Sequence, residues 1–190
     1  MRPMPHAAWY NWYANTLLMR HVDQLASPLG GNIVIDVGCG EQPYRPSLRG
    51  FKRYVGFDSI DAPDRGANPD VLGDALALPF ATGCADAVLC TEVIEHVTDP
   101  AGMLSEFSRV LAPGGSVVLT SPFTWHLHDE PHDYWRFTEF GLRLIFERAA
   151  KPHVVVGLLG KLERAGGQIA GLFKVFEVFM PPRDAVASPA

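Results

Sequence analysis

The chain has 190 residues, 47% hydrophobic and 19% charged, with a net charge of -5. That length suits one well-buried core and is short for two, and the composition is that of a globular protein, neither disordered nor membrane-spanning. No run of Lys and Arg offers a phosphate backbone the basic stripe that nucleic-acid binding needs. Cys39, Cys84 and Cys90 are odd in number and lack CxxC spacing, which argues against a disulfide framework and a zinc knuckle.

The first twenty residues lack the apolar core and small-residue cleavage site of a signal peptide, and no apolar run is long enough to cross a bilayer. The chain therefore reads as a soluble cytoplasmic domain. An amphipathic helix is expected over roughly Ala8 to Leu25. Four short apolar runs follow, "NIVIDVG", "RYVGFD", "DAVLCTE" and "GSVVLTSP", with helical or loop segments between them. This alternation predicts a doubly wound, mostly parallel α/β sheet.

Asp99 and Pro100 start a helix whose stripe is Met103, Leu104, Phe107, Val110 and Leu111, and "APGG" stops it. Thr138 caps another helix, with Leu142, Ile145, Phe146 and Ala149 on one face. "HVVVGLL" supplies a further strand. The segment 167–180, "GQIAGLFKVFEVFM", fits a last strand by its Val and Phe content, or a helix by the spacing of Ile169, Leu172, Phe173 and Phe176. The helix is the expectation, which would leave the C-terminal strand pair incomplete. An exposed apolar helix there would meet a second copy of the chain or a membrane interface, making the protein membrane-peripheral. One domain is expected: 1–30 a helical lid, 31–157 the core, 158–190 an apolar segment and tail.

In such sheets ligands sit beyond the carboxyl ends of the strands. Gly38 and Gly40 allow a tight turn after the first strand, and Asp58, at the end of the second, can accept hydrogen bonds from both ribose hydroxyls. A bare GxG fits a dinucleotide as well as S-adenosylmethionine. Three details favour the latter. Pro43 stands where GxGxxG needs its third glycine, Asp36 places a carboxylate near a sulfonium cofactor's charged end, and Asp74 follows a short third strand where it can accept from an adenine amino group.

"VIDVGCGEQPY", "YVGFDSID", "GDALALPF", "DAVLCTEVIEHVTDPAGMLSEFSRVLAPGG" and "SVVLTSP" together resemble the ordered motifs of class I S-adenosylmethionine-dependent methyltransferases. The branch they are most similar to modifies small metabolites, quinones, lipids and sugars. "DEPHDYWRFT" further resembles members associated with surface-polysaccharide and secondary-metabolite pathways. The resemblance implies that Asp36, Gly38, Cys39 and Gly40 line the methionine end of S-adenosyl-L-methionine. It places Asp58 and Ser59 at the ribose, Asp74 and Ala75 at the adenine, and Thr91, Glu92 and His96 below the sulfonium. Gln42 departs from it, standing where many members have a third glycine. The resemblance also makes the aromatics Trp9, Tyr10, Trp12 and Tyr13 a lid over the cofactor, against a plainer reading in which that helix packs on the sheet. Glu92 and Glu95 read equally as solvated acids at a helix start, and Cys39 as a buried filler with nothing to lower its pKa.

The remaining feature is "TWHLHDEPHDYWRFT", with three histidines and three acids between His126 and Asp133. It begins just past the fifth strand, where an acceptor would sit. An aliphatic hydroxyl loses its proton as it attacks, and histidine is the usual base. His128 is the preferred base, with His126 and His96 as alternatives, and Phe123, His132, Tyr134 and Arg136 are the expected acceptor contacts. Two other readings stay open: a metal triad of His126, His128 and His132 or an acid, and a loop whose acids and histidines only pair with each other and with Arg136. No metal is expected, because a donor that is already a cation needs no Lewis acid. The functional expectation is methyl transfer to a small-molecule, glycosyl or lipid-linked acceptor, most readily at oxygen. The alternative is a catalytically silent cofactor-binding partner, with a nicotinamide oxidoreductase third.

Overall fold

The computed structural model describes residues 6–61, 69–123, 125–149, 155–158 and 173–179, with side chains for 15–61, 69–123 and 125–149. Its strands are β1 (Gly31–Val37), β2 (Phe51–Ser59), β3 (Val71–Gly73), β4 (Ala85–Thr91), β5 (Leu111–Pro122), β6 (Val155–Leu158) and β7 (Phe173–Phe179). Its α-helices are α1 (His6–Ala26), α2 (Pro100–Val110) and α3 (Glu139–Ala149). The strands form one sheet in the order β3-β2-β1-β4-β5-β7-β6. Pairing is parallel from β3 through β5, and β7 runs antiparallel to both β5 and β6.

Neighbouring residues along the central strands face opposite sides of the sheet, and both sides are covered, as parallel strands require. On one side Ile35, Val88 and Leu119 pack with Met103, Leu104 and Phe107 of α2 and Leu142 and Phe146 of α3. On the other, Val34, Leu89 and Val118 meet Leu18, Val22 and Ala26, spaced four apart along α1. The helix starts are capped as the sequence indicates. The Asp99 carboxylate accepts from the Gly102 N–H at 2.9 Å, with Pro100 in the first turn. The Thr138 hydroxyl accepts from the Gly141 N–H at 3.0 Å.

One expectation is corrected. Within 167–180 the described part is a strand, not a helix: β7 pairs with β5 from Ser116 to Pro122 and with β6 from Val155 to Leu158. A run rich in Val and Phe meets an open edge on either side, and ladder hydrogen bonds outweigh a helical spacing that seven residues satisfy equally well. The strand pair is complete, and the exposed-helix surface does not exist over Phe173–Phe179. The helix expected from Ala8 is α1, starting at His6. The side chains of Trp9, Tyr10, Trp12 and Tyr13, and so the lid, lie outside the described ones. Among the described residues no helix is long and apolar enough to cross a membrane.

Candidate active site

The strand order reverses between β1 and β4, and the site is built at their carboxyl ends. After β1 the chain turns through Gly38 (φ 72), Gly40 (φ 45) and Gln42 (φ 56). The Gly38 and Cys39 N–H groups both donate to the Phe57 carbonyl, at 2.9 and 3.1 Å, which ties the turn to β2. A Cβ on Gly38 would lie 2.2 Å from Val93 Cγ2, whereas one on Gly40 would meet nothing within 4 Å. Gln42 keeps the left-handed conformation of the glycine it replaces, at a cost of roughly 1 kcal/mol. Its N–H donates to the Cys39 carbonyl at 2.7 Å and its Oε1 accepts from Arg45 at 2.9 Å. Gln42 thus takes a conformation that glycine adopts freely, held by these two hydrogen bonds.

Asp58 stands beside this turn, its carboxylate accepting from the Gly40 N–H at 3.0 Å and the Ser59 N–H at 2.8 Å. Asp36 is 1% exposed; Tyr54 donates to its Oδ2 at 2.6 Å and Oδ1 has no partner. Burial pushes the Asp36 carboxyl up to about 7, opposed by the Tyr54 hydroxyl and reinforced by the charge on Asp58. Burial, with the charges of Asp36 and Asp58, raises the Cys39 thiol to about 12, so Cys39 is a filler and not a nucleophile.

Among the described residues two clefts open here. One of about 650 Å³ has Gly38, Asp58, Ser59, Asp74, Ala75 and Tyr134 among its walls. The other, of about 420 Å³, is bounded by Gly40, Glu92, Asp129 and others, and His96 and His132 line both. The open space over Gly40, the pinned Asp58 carboxylate and the unpartnered Asp36 Oδ1 suit a ligand with a ribose and a cationic end. Asp74, its Oδ1 accepting from the Leu76 N–H at 2.8 Å, lies along the longer cleft. S-adenosylmethionine fits that set of donors and acceptors.

At the end of β4, Glu92 takes a left-handed φ of 55. Its N–H donates to Thr120 Oγ1 at 3.1 Å, and that hydroxyl donates to Glu92 Oε1 at 2.7 Å. A short 3-10 turn, Ile94–His96, follows. Glu95 on it has no exposure, and neither carboxylate oxygen has a hydrogen-bond partner. Burial raises both acids, Glu92 to about 7 and Glu95, further lifted by the charge of Glu92, to about 9. Glu95 is therefore not a solvated helix-start acid, while Glu92 is half-buried on the cleft wall.

The histidine-rich loop is fastened to this turn. The Tyr134 N–H donates to the Glu95 carbonyl at 2.9 Å, the Trp135 indole donates to the Val97 carbonyl at 2.9 Å, and His96 Nδ1 lies 2.9 Å from the His132 carbonyl. Phe137, 6% exposed, anchors the far end in the core. Asp133 organises the loop's interior. It accepts from Arg136 at 2.5 and 2.7 Å and from the His128 N–H at 3.0 Å, and its carboxyl is held down at about 2, chiefly by Arg136.

Of the sequence-derived residues, Gly38, Gly40, Asp58, Ser59, Asp74, Ala75, Glu92, His96, His132 and Tyr134 line the clefts. Asp36 and Cys39 lie buried beside the turn. His128 adjoins the smaller cleft through His96, ring to ring at 4.8 Å. The others stand apart from these walls. Thr91 hydrogen-bonds Tyr44. His126 stacks on Trp125 at 5.0 Å, Phe123 is 37% exposed at the end of β5, and Arg136 is bound to Asp133. The pairing of an acid with Arg136 was among the open readings without Asp133 being singled out, and the burial of Glu95 was missed. The three-residue spacing of Asp133 and Arg136 was a legible sign of an ion pair, but nothing in "EVIEH" marks which acid turns inward.

Residues 35–119 match a family model described as a methyltransferase domain. A ubiquinone biosynthesis O-methyltransferase of Pseudomonas paraeruginosa is 32% identical over 120 residues, 56% of this chain and 51% of its own length. An uncharacterized methyltransferase of a Mycobacterium species is 36% identical over 111 residues, 51% of this chain and 43% of its own. The chain thus spans about half the length of the curated relatives it matches. In structure it resembles a putative methyltransferase from Haloferax volcanii solved with a methyltransferase activator. The TM-score is 0.64 at 20% identity, covering 86% of this chain and 88% of that one. Motif order, sheet order and domain match agree: residues 35–119 match a methyltransferase domain, and they lie in a Rossmann-like, mostly parallel sheet.

Proposed function

We propose that the protein transfers a methyl group from S-adenosylmethionine to a hydroxyl oxygen of a small-molecule, glycosyl or lipid-linked acceptor. The observation that carries this reading is the grouping of Glu95, His96 and His128 at the end of β4. Their ligand-type atoms lie within 4.8 Å of one another, beside the cleft that begins at Gly38 and Gly40. The bound cofactor supplies a methyl carbon already activated on a sulfonium, whose leaving thioether is neutral. The protein's own work is then to position the acceptor, exclude water and draw off the hydroxyl proton. The acceptor oxygen forms the new O–C bond as the C–S bond breaks, its electrons staying on sulfur, and the proton leaves through the imidazole–carboxylate cluster. The O-methyltransferase among the relatives points the same way.

Calorimetry tests the cofactor half. S-adenosylhomocysteine should bind and NAD should not, and Asp58→Ala should weaken binding by about 1.5–3 kcal/mol, the range for a lost charge-assisted hydrogen bond. Equal affinity for NAD defeats the reading. Methyl incorporation from labelled cofactor into catechol, sugar and prenyl-phenol acceptors tests the other half. His128→Ala should lower turnover about 100-fold or more with cofactor affinity intact. His126→Ala, outside the cluster, should leave turnover unchanged.

A further inference from the structure

Glu95 is buried without exposure, and both its carboxylate oxygens lack partners. Ionised, it is an uncompensated charge; protonated, it carries a hydroxyl with no acceptor. Either state is costly and calls for a partner. Glu92 is close enough to raise it electrostatically. Arg136, whose charge reaches both acids, is itself taken by Asp133 through two contacts at 2.5 and 2.7 Å. Buried Glu95 and half-buried Glu92, the latter on the cleft wall, therefore stand together with no cation committed to them among the described residues.

The imidazoles beside them are set as donors of electron pairs. His96 Nδ1 faces the His132 carbonyl at 2.9 Å, so it carries the proton and leaves Nε2 bare. That Nε2 stands 3.8 Å from Glu95 Oε1 and 3.8 Å from Asp129 Oδ2. His128 Nδ1 faces Asp133 Oδ2 at 3.2 Å and the His126 carbonyl at 3.4 Å, both acceptors, which again puts the proton on Nδ1. Oxygen partners of this kind fix the tautomer and orientation of metal-bound histidines. Glu95, His96 and His128 each offer one ligand atom, all within 4.8 Å of one another. A tetrahedral zinc site has ligand–ligand edges of roughly 3.3 Å, so the Glu95–His96 pair at 3.8 Å needs to close by only about half an ångström.

We propose that Glu95, His96 and His128 hold a divalent first-row cation, zinc or manganese, on the acceptor side of the site. Of the three ligands His96 lines the smaller cleft, together with Glu92 and Asp129, and an open coordination position would be reached by an acceptor from that side. Two imidazoles and one carboxylate suit these ions better than calcium, which prefers oxygen alone, and three protein ligands with an open position are the pattern of a catalytic site. The sequence argument against a metal concerned the methyl donor. An acceptor hydroxyl titrates far above neutral pH, and coordination to a cation lowers it. On coordination the hydroxyl proton passes to solvent, and the oxygen keeps the pair that forms the O–C bond as C–S breaks. With the cation bound, the cluster draws off the hydroxyl proton by acidifying it, in place of the free-imidazole route of the metal-free protein. The cation's role rests on the methyl-transfer reading; its binding does not.

Full-length protein freed of metal should be titrated with Zn²⁺ and with Mn²⁺ by calorimetry, and separately with S-adenosylhomocysteine. One cation per chain is expected. Glu95→Gln and His128→Ala should each weaken it about 100-fold, and Asp133→Asn, which frees the His128 ring, roughly tenfold. S-adenosylhomocysteine affinity should stay within about twofold in all three, which also reports that they fold. Should Glu95→Gln fail to fold, His128→Ala, on a half-buried loop, decides alone. Absence of stoichiometric binding, or binding undiminished in His128→Ala, overturns the proposal, and Glu92 and Glu95 then share a proton instead. Cofactor binding without cation binding sinks this inference only. Cation binding without cofactor binding upholds the metal site and sinks the methyl-transfer reading.

Discussion

Asp36 illustrates how a single carboxyl reports on the whole cofactor end. Its side chain faces Tyr54, Cys39 and Asp58, and burial raises it to about 7 from an unfolded value of 3.8. The sign follows from linkage: between those values the folded state holds the proton more firmly than the unfolded state. The ligand-free fold therefore loses stability as pH rises from about 4 to about 7. A ligand bearing a positive charge nearby favours the ionised form. We expect S-adenosylmethionine affinity to rise as pH climbs toward 7, with proton release detectable as a buffer-dependent binding enthalpy. Asp36→Asn should flatten that dependence; an unchanged profile in the variant would place the titrating group elsewhere. The motif made Asp36 legible from its place before the glycine turn. Its unpartnered Oδ1 was not, because that depends on which strand supplies a hydroxyl across the sheet.

At the scale of elements, the interior of the loop from His126 to Phe137 is organised by one acid. Asp133 meets Arg136 and the His128 backbone, its side chain 1% exposed. Its carboxyl is depressed to about 2, so the stability it contributes is present above about pH 4 and is lost as pH falls toward 2. Asp133→Asn should lower the melting temperature at pH 7 by roughly 3–10 °C, from about 1.5–3 kcal/mol for hydrogen bonds to a charged group. It should also remove part of the acid sensitivity between pH 4 and 2. Equal melting curves for the two proteins at both pH values would show that the contacts to the turn at 94–97 and the burial of Phe137 hold the loop without Asp133. Composition alone drew attention to the histidines here, while the residue that arranges them was the acid between. Histidine spacing in an extended segment suggested that His126 and His128 point together. The loop instead turns about Asp133, which separates them.

For the whole molecule, the mostly parallel α/β class, the apolar helix stripes and the glycine turn were readable because each rests on local signals repeated along the chain. Val34 and Ile35, or Leu18, Val22 and Ala26, announce their faces by spacing alone. The grouping of Glu95, His96 and His128 was not readable, since Glu95 and His128 lie far apart in sequence and only folding sets one against the other. The same holds for β7, whose seven residues carry too little pattern to choose between periods; the open edge of β5 makes the choice.

That placement has a consequence for the way the protein is made. The last strand in sequence lies between β5 and β6, so on a ribosome β5 must wait with its edge exposed while some fifty residues more are added, seconds of synthesis at about 5–20 residues per second. β6 emerges in that interval with no neighbour to join. A chain truncated before Phe173 should keep the parallel half of the sheet yet present the Ser116–Pro122 edge to other copies of itself, and sediment as aggregate rather than monomer. Adding a synthetic peptide covering residues 170–182 during refolding should restore solubility. Failure of that peptide to compete with self-association would mean that the nascent edge is guarded by something other than its final partner.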